Sequence, residues 1–439
     1  MNNIYKLICH QCKNITESYK DWLKNNQACN KCNCILSFIK YDKFDTDCFN
    51  EVHAKNIWVY KNNLPLEDNV NITSLNEGTL EVENWKSLQL IAEKYFSISC
   101  KIYTLRNDNN PGTGTFKDLA GTVISSVLKE LKIKNYVVAS TGNIGAALSR
   151  YLAINNISFY AFIPEDSSIL QESEIRSNGA TVFRVNGDYA KAKILAKEFA
   201  LKNNYLLGGS GVDPLRIEAK KTMIYEYFRQ KKLSPTIYIQ AVSGGTGPIG
   251  VYKGSSELQE HGLIESIPKL FLYQSNSCSP MANAFKKASS KGFPEGWHKE
   301  YQIISNPDTE ITTLATGDPT LYPFLSEMVY KSQGYIDSVS EENVFNVFKF
   351  IALNETVKIG PAACIAILGL LKALSENKIN NGDEILINIG EGAKRTPGFF
   401  EGFSNNELVN NISDIKKLTN IDDNRKQSIN LIEEIITKL

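Results

Sequence analysis

Between residues 119 and 275 the chain alternates short apolar runs with longer stretches whose apolar residues recur at helical spacing. Strand-length runs fall at 136–139, 158–163, 180–185, 205–207, 236–241 and 269–274. Helical spacing covers 119–132, 143–155, 168–178, 189–203, 214–231 and 249–260. This alternation predicts an α/β fold, a parallel sheet with crossover helices. Ahead of it, 102–105 reads as a short strand, and Asn76-Glu77-Gly78-Thr79 reads as a turn between extended segments. Beyond it, Gly360-Pro361-Ala362-Ala363-Cys364 opens a small-residue core helix. The last twelve residues place Ile429, Leu431, Ile432, Ile435, Ile436 and Leu439 on one helical face, predicting a helix docked on the body or on a second subunit.

Composition narrows the class. A chain of 439 residues has room for two sizeable domains and an appendage. With 42% hydrophobic and 22% charged residues it reads as a soluble globular protein, and zero net charge gives no field to recruit nucleic acid or an anionic membrane. No apolar run approaches a membrane span, and the first residues lack the apolar core of a signal peptide, so the expected location is the cytoplasm. Near the amino terminus, Cys9-x2-Cys12 and Cys29-x2-Cys32 stand sixteen residues apart, the arrangement of a zinc ribbon. Cys34 is an alternative to Cys32 as the fourth ligand. A closed four-thiolate site is structural, and so small a segment needs such a staple to fold. The four histidines (His10, His53, His261, His298) show no ligand spacing and read as structural.

Ligands of such sheets sit beyond the carboxyl ends of the strands, and the loops in that position carry chemistry. Asn110-Pro111-Gly112-Thr113-Gly114-Thr115-Phe116-Lys117-Asp118 places one lysine past a Pro/Gly-rich turn and at the start of an apolar helix. Converging N–H groups and the positive end of the helix dipole disfavour the ammonium there and favour a nucleophilic amine. Ser140-Thr141-Gly142-Asn143 follows a strand and opens a helix, a cradle for a carboxylate with an amide able to donate to a phenolate oxygen. Ser243-Gly244-Gly245-Thr246-Gly247 lacks the Lys-Ser/Thr ending of a nucleotide loop and suits a phosphate monoester. Gly208 to Arg216 follows another strand and sets Arg216 in a first helical turn, where its guanidinium suits a second anion.

These segments carry a resemblance. The lysine loop is similar to the Asn-Pro-Thr-Gly-Ser-Phe-Lys-Asp segment of threonine synthases, with Gly112 as an extra residue and Thr115 in place of serine. Ala139 to Asn143 resembles that family's asparagine loop, and Ser243–Gly247 resembles the cofactor phosphate loop of fold-type II pyridoxal-phosphate enzymes. Four further segments resemble cysteate synthase, a threonine synthase relative: 240–244, 268–270 with 280–285, 314–323, and Asn388 to Arg395. The resemblance implies a two-domain fold-type II (tryptophan synthase β-like) fold with an N-terminal zinc ribbon. The ribbon takes 1–45, the larger cofactor domain 46–130 and 233–403, the smaller α/β domain 131–232, and a helical tail 404–439.

It further implies that Lys117 carries pyridoxal 5'-phosphate and removes the α-proton. Asn143 then donates to the ring phenolate, and Ser243, Gly244, Gly245, Thr246 and Gly247 hold the cofactor phosphate. Ser140 and Thr141 grip the substrate carboxylate, and Thr113, Ser210 and Arg216 receive a departing phosphate. The family's threonine facing the pyridine nitrogen is replaced by Ile389, which leaves Glu391 to swing in or to stand as a turn residue. The polar stretch 308–323 is of the kind that lines a substrate entrance. The expected reaction is β-elimination and replacement on a phosphorylated amino acid, O-phosphoserine plus sulfite giving cysteate and phosphate. The alternatives are threonine synthase, acting on O-phosphohomoserine, or another nucleophile. The expected partners are an amino acid, a small nucleophile and, by resemblance, a second copy of the chain. A non-catalytic metabolite binder is the competing class, and Lys117 argues against it.

Overall fold

The computed structural model describes residues 4–140, 142–165, 167, 169–187, 189–209, 211–396, 398 and 421–438. An antiparallel ribbon comes first: β1 (Tyr5–Cys9), β2 (Ile15–Thr16), α1 (Tyr19–Lys24) and β3 (Ser37–Tyr41), with β1 central. Then come β4 (Val82–Asn84), α2 (Lys86–Phe96), β5 (Lys101–Leu105) and α3 (Lys117–Glu130). Next is a run of alternating elements: β6 (Asn135–Ala139), α4 (Asn143–Ile154), β7 (Ser158–Pro164), α5 (Ile169–Ser177), β8 (Thr181–Val185), α6 (Tyr189–Asn203) and β9 (Leu206–Leu207). The chain continues through α7 (Pro214–Lys231), β10 (Ile237–Ala241), α8 (Thr246–Glu260), β11 (Lys269–Ser275), α9 (Pro280–Ser290), α10 (Tyr322–Lys331) and β12 (Tyr335–Val339). It closes with α11 (Val344–Asn354), α12 (Pro361–Ser375), β13 (Glu384–Asn388) and α13 (Ile421–Lys438).

Two sheets carry the body. Four parallel strands run in the order β8-β7-β6-β9. Six strands run β12-β11-β10-β13-β5-β4, parallel except for the edge strand β4. Period-two alternation decides which core each side chain enters. Ile237, Ile239, Phe271, Tyr273, Ile385 and Ile387 face α2, α11 and α12. Tyr238, Leu270, Leu272 and Leu386 face the opposite layer, which includes α3, α7 and α8. Ile432 and Ile435 bury α13 in the first of these cores, so the last helix docks on the body; residues 404–420 of the expected tail and Leu439 lie outside the described residues. Among the described residues no helix is long and apolar enough to cross a membrane.

Two local expectations are corrected. The segment around Asn76–Thr79 follows 3-10 turns and leads into the short strand β4, so it is flanked by an extended strand on one side only; beyond β4, Trp85, Leu88, Ile91 and Ala92 are the buried stripe of α2 and its start. Helix α8 begins at Thr246, three residues before the expected start, so Thr246 and Gly247 are its first turn. The helices α7 and α8 approach closely because glycines face backbone there. A Cβ on Gly250 would lie 3.0 Å from the Ile217 carbonyl oxygen, and one on Gly254 would lie 2.8 Å from that of Lys221.

The ribbon is joined to α7 by side chains. Tyr19 donates to Asp213 at 3.1 Å, Tyr41 donates to Glu218 at 2.6 Å, and Gln27 donates to the Leu207 carbonyl at 2.5 Å. The sulfurs of Cys9, Cys12, Cys29 and Cys32 all lie within 4.8 Å of one another, as ligands of one tetrahedral ion do. Cys34 instead sends its thiol to the Leu36 carbonyl at 3.5 Å. Metal analysis of two variants checks this assignment: Cys32→Ala is expected to abolish stoichiometric metal, and Cys34→Ala to leave it intact.

Candidate functional site

The lysine loop is built before the lysine. Asn110 accepts from Gly78 N–H at 2.9 Å and donates to the Thr115 carbonyl at 3.1 Å, holding the turn from inside. The buried Asp118 carboxylate accepts from the Thr113 N–H and hydroxyl, both at 2.7 Å. Burial pushes the Asp118 carboxyl up to about 6 against these donors. The extra residue Gly112 lies on this carboxylate, since a Cβ there would come within 2.6 Å of it. A longer loop at this point therefore requires glycine. Phe116 N–H donates to the Gly390 carbonyl at 3.0 Å and Gly392 N–H to the Gly114 carbonyl at 3.3 Å, so the loop pairs with the turn after β13.

Lys117 opens α3, its N–H donating to the Thr115 hydroxyl at 3.1 Å. Its side chain keeps partial solvent contact, as a group on the floor of a cleft does, and its ammonium lies 3.9 Å from the Phe116 ring centroid. Burial lowers its pKa to about 8; Glu391 opposes the shift and the Arg216 guanidinium adds to it. Glu391 is 4% exposed and burial raises its carboxyl. It accepts from Asn143 Nδ2 at 2.7 Å and from the Thr313 hydroxyl at 3.1 Å. Arg395 Nε in turn donates to Asn143 Oδ1 at 2.9 Å, and its Nη1 meets Glu174 at 2.6 Å. Glu391 is thus a buried bridge between the last strand and α4, and Ile389 is fully buried in the core.

Two helix amino ends stand beside open space, that of α4 next to the Asn143–Glu391 contact. At α4 the Ser140 hydroxyl takes one of the first N–H groups, whereas α8 has no side-chain cap, and a Cβ on Gly142 or Gly244 would meet nothing within 4 Å. Uncapped N–H groups beside open space are an anion cradle. In the second cradle Gly245 takes φ +90°, Ser243 shares a hydrogen bond with Thr316, and the Thr246 hydroxyl donates to the Gly211 carbonyl at 3.2 Å. A Cβ on Gly211 would come within 2.8 Å of the Thr246 hydroxyl, so the Gly211 backbone rests directly on this cradle. Ser140 is turned inward, its hydroxyl accepting from Gly145 N–H at 3.1 Å, and Thr113 is committed to Asp118. Thr141 and Ser210 lie outside the described residues.

Helix α7 delivers the positive charge. Arg216 is 8% exposed and its Nε has no partner among the described residues. Nearby Glu218 does not pair with it, being taken by Lys221 and Lys253, each at 2.7 Å. Sequence reasoning missed Thr313, Arg395 as a partner of Asn143, and Lys220, which is 3% exposed and lies one turn beyond Arg216. Only the i, i+4 spacing of Arg216 and Lys220 signals that they share a face.

A family model described as pyridoxal-phosphate dependent enzyme matches residues 89–390. A threonine synthase of Methanocaldococcus jannaschii is 30% identical over 342 residues, 77% of this chain and 80% of the relative. A cysteate synthase of Methanothrix thermoacetophila is 28% identical over 294 residues, 64% of this chain and 68% of the relative. Among solved structures, the processed threonine deaminase isoform 2 of Solanum lycopersicum superposes with a TM-score of 0.59 at 16% identity, covering 76% of this chain and 88% of that one.

The depressed amine gives a direct expectation. In cofactor-free protein, Lys117 should react with an amine-directed acylating reagent along a pH profile centred near 8, against about 10.4 for an ordinary lysine. Glu391→Gln removes the attraction that supports the ammonium, so the midpoint should fall further. Peptide mapping by mass spectrometry reads both; an ordinary midpoint, or a rise in the variant, contradicts the assignment.

Proposed function

The chain belongs to the pyridoxal-phosphate dependent enzyme family, and we propose that it expels phosphate from a phosphorylated amino acid and sets a small nucleophile in its place. The reading we favour is cysteate-synthase-like β-elimination and replacement, O-phosphoserine plus sulfite giving cysteate and phosphate. The observation that carries it is Lys117: an amine with pKa about 8, beside a buried guanidinium with an unpartnered Nε.

The residues present fit the cofactor. Lys117 is the amine it joins, and Gly244 to Gly247, with Ser243 and Thr246, form an uncapped helix end whose first glycine borders open space. Asn143 Nδ2, now on Glu391, is the donor for the ring hydroxyl. Bound there, pyridoxal phosphate supplies an aldehyde for the substrate's amino group and a ring that accepts electrons released at the α-carbon. The protein does the rest. Lys117 Nζ takes the α-proton in its neutral form, and Glu391 stabilises the ammonium that results. The α4 amino end, with Gly142 bordering open space, receives the substrate carboxylate. Arg216 receives the departing phosphate, where charge-assisted hydrogen bonds are about twice as strong as neutral ones. The ribbon thiolates hold a structural zinc, and nine cysteines free of disulfides support a reducing, cytoplasmic setting.

A second reading, threonine synthase acting on O-phosphohomoserine, is favoured by the 30% identity to the Methanocaldococcus jannaschii protein. Loss of a γ-phosphate needs a longer proton relay, for which Glu391 lies close to Lys117. Purified protein assayed for phosphate release and product mass separates the two. O-phosphoserine with sulfite should give cysteate, whereas threonine from O-phosphohomoserine alone would select the second reading. Lys117→Ala should lose about 10²–10⁴-fold in rate; full activity in that variant would leave only a binding role.

A further inference from the structure

We propose that Lys220 is a second cation of the subsite that receives the leaving phosphate, making this site selective for a doubly charged phosphomonoester over a singly charged or neutral leaving group. The proposal rests on the reading of a phosphorylated substrate and adds a residue to it.

Apart from Arg216, the other buried cations of α7 and α8 are matched by carboxylates. Lys221 and Lys253 share Glu218 and Glu257 at 2.6–3.1 Å, and Arg229 meets Glu226 at 2.6 Å. Lys220 has no hydrogen bond or ion pair to any described residue, although only 3% of it is exposed. What it faces is the Phe116 ring at 5.4 Å, and Lys117 lies on that ring at 3.9 Å. Its charged surroundings are Lys117 of α3 with Arg216 and Asp213 of α7; of these only Asp213 attracts it. That carboxylate already caps α7 through Leu215 N–H at 2.9 Å and accepts from Tyr19.

An isolated buried ammonium costs several kcal/mol, and nothing in the packing requires one here. The Lys220 Cβ lies against α8 at Gly250, where a methylene stem of any long side chain would serve. The amine is therefore kept for what enters the cleft. A phosphate monoester carries nearly two charges at neutral pH, enough for Lys220 and Arg216 together; an acetyl ester brings none. Burial beside two cations also holds the Lys220 pKa well below the ordinary value, so a dianion that binds next to it draws a proton onto Nζ.

Calorimetric titration of the holoenzyme with inorganic phosphate tests this, the cofactor filling its own cradle. At mildly alkaline pH, in buffers of different ionisation enthalpy, wild-type protein should bind phosphate with proton uptake. Lys220→Met should bind about tenfold more weakly or worse with the uptake lost, and Lys220→Arg should stay within about threefold of wild type. Acetate binding should hardly differ among the three. Equal phosphate affinity in wild type and Lys220→Met, both folded by thermal melt, overturns the role of Lys220 and leaves the phosphorylated substrate standing. Weaker cofactor retention with unchanged phosphate binding also overturns it, since Lys220 would then serve the cofactor. Wild-type protein that neither binds phosphate nor releases it from either phosphorylated amino acid overturns the substrate reading and the proposal together.

Discussion

Positive charge held out of water is the constraint on which this molecule turns. Lys117 and Lys220 meet on the Phe116 ring with the Arg216 guanidinium acting on both, and the carboxylates that reach them, Glu391 and Asp213, are each bound by other donors. In water these cations would repel weakly; inside protein the same charges interact several times more strongly. The fold responds in two ways. It shifts the amines toward neutrality, and it leaves open space at Gly142 and Gly244, beside the amino ends of α4 and α8.

Each element of the body contributes to that cluster. The antiparallel pairing of Thr115 with Glu391 ties the lysine loop to the end of β13. Glycines at 250 and 254 let α7 lie close on α8, which sets Arg216 and Lys220 beside the lysine loop. The ribbon reaches α7 from outside through Tyr19 on Asp213 and Tyr41 on Glu218, so the helix that carries the charges is braced at its amino end and along its length. The four-cysteine ribbon thereby supports, from outside, the helix that carries these charges.

Much of this was readable from the chain. Runs and turns between 119 and 275 located the strands and helices to within a few residues, because parallel strands between helices are bounded by abrupt changes of period. Lys117 and the 243–247 loop stood out through their Pro/Gly surroundings. The sequence did not reveal partnership. Asn143 and Glu391 are 248 residues apart, and no local pattern announces that one donates to the other. Helix α7 is dense in charges, yet Pro214 to Phe228 are buried, since Glu218 and Lys221 find their partners on α8 and the ribbon, a pairing that no local pattern announces. Lys220 was hidden in that same charged run. The extra glycine of the lysine loop made sense only once Asp118 was seen lying against it.

The account stands or falls on the amine of Lys117 being the point of covalent attachment. Reduction of the purified holoenzyme with borohydride, followed by proteolysis and mass spectrometry, measures that directly. A single pyridoxyl-phosphate adduct on the peptide containing Lys117 is the predicted result. An unmodified Lys117, or an adduct on Lys220 in its place, would contradict it.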